Sequence, residues 1–136
     1  MKTLTITTDK DQLDISLITD FISQSYWAQG RTEEKVKKAI SNSLTFGLFL
    51  DKQQIGYARV ITDYTTLAYL MDVFIVKEQR GKGYAKQLLK YILAYPELTG
   101  VERWKLSTED AHGLYEQLGF EKLAKNGNMM ERTFSE

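Results

Sequence analysis

One stretch constrains this chain more than any other. From Leu67 to Val76 it reads Leu-Ala-Tyr-Leu-Met-Asp-Val-Phe-Ile-Val, almost continuously apolar and rich in β-branched and aromatic residues. A run of that kind fits a central strand covered on both faces. Asp72 is its only ionisable residue. A loop with two glycines follows, Lys77-Glu78-Gln79-Arg80-Gly81-Lys82-Gly83, and then the clearest helical pattern in the chain. There Ala85, Leu88, Leu89, Ile92 and Leu93 fall at i, i+3, i+4, i+7 and i+8, and Pro96 marks the end. A strand, a glycine loop and an amphipathic helix in that order make half of a strand–helix–strand unit, and Val101 to Leu106 supplies the second strand.

The rest of the chain supplies the other layers. Leu4 and Ile6 alternate with threonines in a short strand pattern. Leu13, Leu17, Ile18, Phe21 and Ile22 share one helical face, with Asp9 or Asp11 as the expected cap. Gly30-Arg31-Thr32-Glu33-Glu34 reads as a break and a second helix start, with Thr32 as cap, and Val36, Ala39 and Ile40 as its buried face. Phe46 to Leu50 and Ile55 to Ile61 are apolar runs joined by a polar turn, a hairpin pattern. Ala111, Leu114, Tyr115 and Leu118 predict a short helix closed by Gly119. Phe120 to Leu123 and Met129 to Phe134, joined through Asn126-Gly127, predict a closing hairpin. The expected order is β-α-α-β-β-β-α-β-α-β-β. That is an α/β fold with a mixed central sheet, helices on both faces, and one domain over residues 1–136.

Composition narrows the function. With 18 basic and 18 acidic residues the formal net charge is zero, which argues against a general nucleic-acid binder. There is no cysteine, so thiol nucleophiles, disulfides and zinc–thiolate sites are excluded, and a reducing cytoplasm suits the chain. His112 is the only histidine, so a site with several histidine ligands is excluded and no metal is expected. No apolar run reaches the roughly 18–20 residues of a membrane span, and no membrane partner is expected.

The glycine loop is where chemistry enters. Its glycines let a ligand approach the backbone closely, and the amides that open a helix are a ready anion site. Lys77, Arg80, Lys82, Lys86 and Lys90 surround it in a chain that is neutral overall. The bland alternative is an ordinary strand–helix turn beside a solvated basic face. The P-loop pattern is absent, and the dinucleotide pattern Gly-x-Gly-x-x-Gly fails at Lys86.

Arg80-x-x-Gly83-x-Ala85 after the strand ending Asp72-Val73-Phe74-Ile75-Val76 resembles the acetyl-CoA pyrophosphate loop of the GNAT superfamily of N-acetyltransferases. Leu114-Tyr115-Glu116-Gln117-Leu118-Gly119-Phe120 resembles that family's second motif, and the order of elements resembles its fold over nearly the whole chain. Thr108 stands where the family often has Asn, and Lys77 where it usually has Pro. The resemblance implies acetyl-CoA as acyl donor. It implies that the amides of Arg80, Gly81, Lys82, Gly83, Tyr84 and Ala85 hold the pyrophosphate, and that the backbone of Val73, Phe74 and Ile75 meets the pantetheine arm. It also implies direct transfer of the acetyl group to a small-molecule amine in a ternary complex. Tyr115 is then the expected acid for the leaving thiolate, the alternative being a core tyrosine.

Asp72 is a candidate base or substrate-binding group, or the buried partner of Arg59. Asp63 is a weaker candidate base, and a turn role is common for such a residue. His112 is a minor one. Trp27 and Arg31 fall where the family places its acceptor lid; Tyr26 and Trp27 would form a wall and Arg31 would bind a carboxylate, unless they are a packed Trp and a surface Arg. A non-catalytic acyl-CoA sensor and a protein N-acetyltransferase remain alternatives. A homodimer through the tail hairpin also stays open.

Overall fold

The computed structural model describes residues 2–124 and 127–134. Nine regular elements run along them: β1 (Leu4–Thr7), α1 (Ile15–Ser23), α2 (Glu33–Ser41), β2 (Leu44–Leu50), β3 (Gln53–Thr62), β4 (Leu67–Ile75), α3 (Tyr84–Leu93), β5 (Arg103–Lys105) and α4 (His112–Gln117). The five strands lie in one sheet in sequence order. β1 to β4 pair antiparallel, and β5 joins β4 in parallel across the α3 crossover. One α/β domain results, with a helical layer on each face.

Local chemistry explains where the helices begin. Asp14, rather than Asp9 or Asp11, caps α1, its carboxylate accepting from the Leu17 amide. Asp9 caps a short 3-10 turn, Lys10–Gln12, which seats Leu13 in the core. The periodic pattern alone could not separate that turn from the helix. Thr32 caps α2 as expected, accepting from Lys35 N.

The two helical layers take opposite faces of the sheet. Ile18 and Ile22 of α1 and Val36 and Ile40 of α2 pack with Tyr57 and Phe74. Leu88, Leu89 and Ile92 of α3 pack with Phe46, Leu48, Val60, Ala68 and Leu70. Fully burying each of these side chains contributes about 1.5–3 kcal/mol. β3 and β4 are covered on both sides, which is why their sequences read as nearly continuous apolar runs.

A β-bulge interrupts β4. Tyr57 stands opposite Phe74 and Arg59 opposite Met71, so Asp72 and Val73 together face Ala58. Asp72 takes φ 55° there. Successive residues of a regular strand point to opposite faces, yet Met71 and Asp72 both reach Arg59. The bulge therefore reverses the facing of β4. Ala68 and Leu70 point toward α3 before it, and Phe74 points toward α1 after it.

Gly56 of β3 is closely flanked by β2 and β4. A Cβ there would meet Ile75 Cδ1 at 2.8 Å, the Phe74 carbonyl oxygen at 3.1 Å and Leu48 Cβ at 3.3 Å. At Gly47 the nearest atoms are the ends of the Leu13 and Phe49 side chains, at 2.8 and 2.9 Å. Gly56→Ala is expected to lower stability by about 1–3 kcal/mol, and by more than Gly47→Ala, because a backbone oxygen cannot rotate away. Urea unfolding of the two variants tests the ranking.

The predicted closing hairpin is not present among the described residues. Residues 120–124 and 127–134 carry no strand, and Asn126 of the expected turn lies outside the described residues. The alternating pattern is real, but Leu123, Met129, Met130 and Phe134 remain exposed, and β5 offers only three residues of ladder. A hairpin without a packed face has little to hold it. The strand expected over Val101 to Leu106 is likewise reduced to Arg103–Lys105.

Candidate active site

β4 and β5 part company after three pairs, Leu67 with Arg103, Ala68 with Trp104 and Tyr69 with Lys105. The Tyr69 hydroxyl and Ser107 Oγ, 3.2 Å apart, join the two sides where they separate. Residues 70–75 then run on with no β5 partner, and a cavity of about 630 Å³ opens along them. Its walls include Phe21, Tyr26, Trp27, Ala111 and Tyr115, with Arg80 and Ala85 also lining it. A strand edge left unpaired in this way presents backbone N–H and C=O groups to whatever fills the space.

The glycine loop adjoins this cleft. A 3-10 turn, Lys77–Gln79, leads into it, and Gly81 and Gly83 both take left-handed backbone, at φ 78° and 81°. Gly83 is the cap of α3 and provides no side-chain acceptor, so the first α3 amides are left for a ligand. A Cβ built on either glycine would meet nothing within 4 Å, so the space above the loop is open. The Arg80 Nε donates to the Ile75 carbonyl at 3.0 Å, tying the loop to the end of β4, and its guanidinium lies 5.8 Å from the centre of the Phe21 ring. Phe21 in turn stacks on Phe74 at 4.0 Å. Lys82 Nζ donates to Gln79 Oε1 at 3.0 Å. An uncapped helix start, open glycines and a neighbouring arginine fit a phosphate-bearing ligand.

The bulge builds the far end of the cleft. Asp72 is 6% exposed. Its Oδ2 accepts from Arg59 Nε at 2.8 Å and from Arg31 Nη1 at 3.5 Å, and its Oδ1 accepts from Trp27 Nε1 at 2.9 Å. Arg59 is completed by Ser43 Oγ at 3.2 Å and Met71 Sδ at 3.6 Å. The expected Asp72–Arg59 pair thus exists, and the same carboxylate gathers Trp27 and Arg31, which are far from it in sequence. The Tyr26 hydroxyl accepts from the Glu109 amide at 3.3 Å and so spans from the α1–α2 connection to the β5–α4 segment.

Tyr115 is buried at 9% exposure, in edge contact with Phe120 at 5.7 Å. Burial pushes its phenol up to about 12, with the charges of Tyr26 and Asp110 adding to the effect. Burial pushes Tyr57 still further above the usual phenol range. Both groups lose stabilising contribution when ionised, so stability is full below about pH 10, where unfolded tyrosine titrates, and falls as pH rises beyond it. Tyr115 alone would account for about 2–3 kcal/mol by pH 12. Denaturant titrations at pH 9 and pH 11.5 are expected to show the loss, and Tyr57→Phe with Tyr115→Phe to reduce it.

Other expected residues fall elsewhere. Asp63 is exposed and accepts from Thr65 N, Thr66 N, Thr66 Oγ1 and Leu67 N. Those bonds, the Thr66 side chain's first, hold its carboxyl well below the usual range, so it is a turn residue and not a base. His112 is exposed and lines a second cavity, of about 630 Å³, that shares Tyr69, Leu106, Ser107, Thr108 and Tyr115 with the cleft. Thr108 accepts from Ala111 N at 3.1 Å, which shapes the turn into α4. Phe21 read as core and comes to the cleft stacked on Phe74, whereas Ser107, Glu109 and Asp110, which had no distinguishing pattern, come to it where β4 and β5 part. Among the described residues no group of three or more His, Cys, Asp or Glu is placed to hold a metal, and no helix is long and apolar enough to cross a membrane.

A sheet that splits between a bulged β4 and β5, with a glycine loop opening the next helix, is the architecture of an acyltransferase fold. The chain belongs to the GNAT family: residues 41–122 match the acetyltransferase (GNAT) domain. It is similar to a solved candidate acetyltransferase of that family from Xanthomonas campestris pv. campestris, at 44% identity over 98% of this chain and 95% of the other, with TM-score 0.92. A candidate acetyltransferase of Gibberella zeae is 26% identical over 84% of this chain and 77% of its own length. The fold is shared with a candidate acetyltransferase of Clostridium acetobutylicum solved with acetyl-CoA, at 14% identity, TM-score 0.69, and coverage of 98% and 96%.

Proposed function

We propose that this chain is an acetyl-CoA-dependent N-acetyltransferase that acts on the amine of a small molecule by direct attack in a ternary complex. One observation carries the reading: the unpaired edge of β4, Arg80 and Ala85 of the glycine loop, and Tyr115 all border one cavity. In this reading the backbone of Arg80, Gly81, Lys82, Gly83, Tyr84 and Ala85 receives the pyrophosphate of the donor. Val73, Phe74 and Ile75 pair with its pantetheine arm, and a free N–H of that edge faces the negative charge developing on the thioester oxygen. Acetyl-CoA supplies an activated thioester when bound.

Tyr115, protonated at neutral pH, gives its proton to the departing thiolate, and the proton that the attacking amine sheds as the amide forms restores the phenol. Asp72 acts by position. With both oxygens already accepting N–H groups it holds Trp27 and Arg31 at the acceptor end. Keeping amine and thioester in line supplies much of the rate. The half-buried Lys86 and the exposed Lys90 extend positive charge from the loop along α3.

The test is thiol release from acetyl-CoA against a panel of small amines. The chain contains no cysteine, so a thiol reagent reports on free CoA alone. Acceptor-dependent release supports the reading. Acetyl-CoA binding without release against any amine would return the chain to a sensor role, and absence of binding would overturn the assignment of the loop.

A further inference from the structure

The acceptor end of the cleft is electrically uneven. Two guanidinium groups share one carboxylate oxygen, since Arg59 Nε and Arg31 Nη1 both donate to Asp72 Oδ2, at 2.8 and 3.5 Å. One negative charge therefore serves two positive ones. Arg59 is fully engaged, with its Nε, Nη1 and Nη2 bonded to Asp72, Ser43 and Met71, and its side chain is only 7% exposed. Arg31 is bonded through Nη1 alone, over the longer distance, and its side chain is 26% exposed. The uncompensated charge thus belongs to Arg31, which has donors to spare in a fork suited to planar anions.

The β5–α4 segment has the other sign. Glu109 and Asp110 line the cleft, are exposed, and sit on the segment that the Tyr26 hydroxyl ties across to the α1–α2 side. Arg31 adjoins the cleft through Asp72, which lines it, and that cation together with the two carboxylates and the half-exposed Trp27 indole would orient a dipolar molecule. A simple amine would gain only from the acidic side and be repelled by Arg31.

We infer that the acceptor is a zwitterion, a small molecule whose reacting amine is accompanied by an anionic oxygen group, and that Arg31 is the residue that reads the anion. The ammonium end approaches along Glu109 and Asp110, on the Tyr115 side of the cleft. The anionic end takes the free nitrogens of Arg31. Carboxylate and phosphate share this chemistry. The inference rests on the acetyl-transfer reading above and gives it a substrate class.

The experiment compares matched acceptors in the thiol-release assay: each L-amino acid against its decarboxylated amine, and phosphoethanolamine against ethanolamine. The anion-bearing member of at least one pair is expected to show kcat/KM about tenfold or more above its partner; which kind of pair responds separates carboxylate from phosphate. Arg31→Gln is expected to raise KM for that acceptor by about tenfold with little change in kcat, and to lower KM for the matched amine, which Arg31 no longer repels. Arg31→Lys should recover part of the loss. Equal or better turnover of the uncharged partners overturns the inference. So does an Arg31→Gln variant that lowers both members equally, which would reduce Arg31 to a support for Asp72, and so does silence of every pair while acetyl-CoA binds. Failure to bind acetyl-CoA strikes the acetyl-transfer reading itself and takes this inference with it.

Discussion

Replacing Tyr115 by phenylalanine is expected to lower kcat by about a hundredfold, the lower part of the range for a positioned general acid. The KM for acetyl-CoA should change by less than about twofold, because only the sulfur end of the donor loses a contact. A hundredfold loss corresponds to about 2.7 kcal/mol of transition-state stabilisation. The variant should fold normally, since the ring keeps its place against Phe120 and the core beneath α3. A loss of kcat with KM and melting temperature unchanged separates this role from a packing role. With its phenol pushed up to about 12, Tyr115 stays protonated across the working range and contributes no falling limb below about pH 10. The rate should instead rise with pH as the acceptor amine loses its proton, in wild type and variant alike, the two curves staying parallel. Wild-type kcat in Tyr115→Phe would sink the assignment.

The largest effect on stability is expected at Asp72. Asp72→Ala strands Arg59, which is 6% exposed, without its partner, and leaves Trp27 Nε1 and Arg31 Nη1 with nothing to donate to. Removing one member of a buried ion pair costs about 3–5 kcal/mol, because the other charge stays behind unpaired. For a chain of this size that is a fall in Tm of roughly 10–20 °C. Asp72 also holds φ 55° at the bulge, a conformation that Asp and Asn tolerate better than Ala. Asp72→Asn should therefore be less damaging than Asp72→Ala, and the double variant Arg59→Met/Asp72→Ala should recover part of the loss. Thermal melts and a double-mutant cycle measure both. If Asp72→Ala cost less than about 1 kcal/mol, the buried network would not be holding the acceptor end together.

Much of this fold was legible in one dimension. Core helices and strands follow from period, and helix starts from residues such as Thr32 that accept a backbone N–H. The loop from Arg80 to Ala85 could be read because its conformation is local: left-handed glycines and an uncapped helix start need no distant partner. Tyr115 was found through a motif in which neighbours in sequence are neighbours in space.

The acceptor end is different in kind. Asp72 stood out as a charge in an apolar run with Arg59 of the neighbouring strand as a possible partner, but Arg31 and Trp27 lie 41 and 45 residues away, and only the packing of α1 and α2 against the sheet joins them to it. The bulge that turns Asp72 toward them is a mismatch of register between two strands, so it has no existence within β4 alone. The tail shows the converse. Its alternation and Asn-Gly pair predict a hairpin, yet the described residues form none, because a strand needs a ladder and a face to bury as well as a pattern. By itself the sequence determined the helices, the core faces of the strands and the conformation of the glycine loop, since these are set by neighbours along the chain. Tertiary structure alone decided the bulge, the parting of β4 from β5 and the charge imbalance around Asp72, because each depends on which distant backbone or side chain stands opposite.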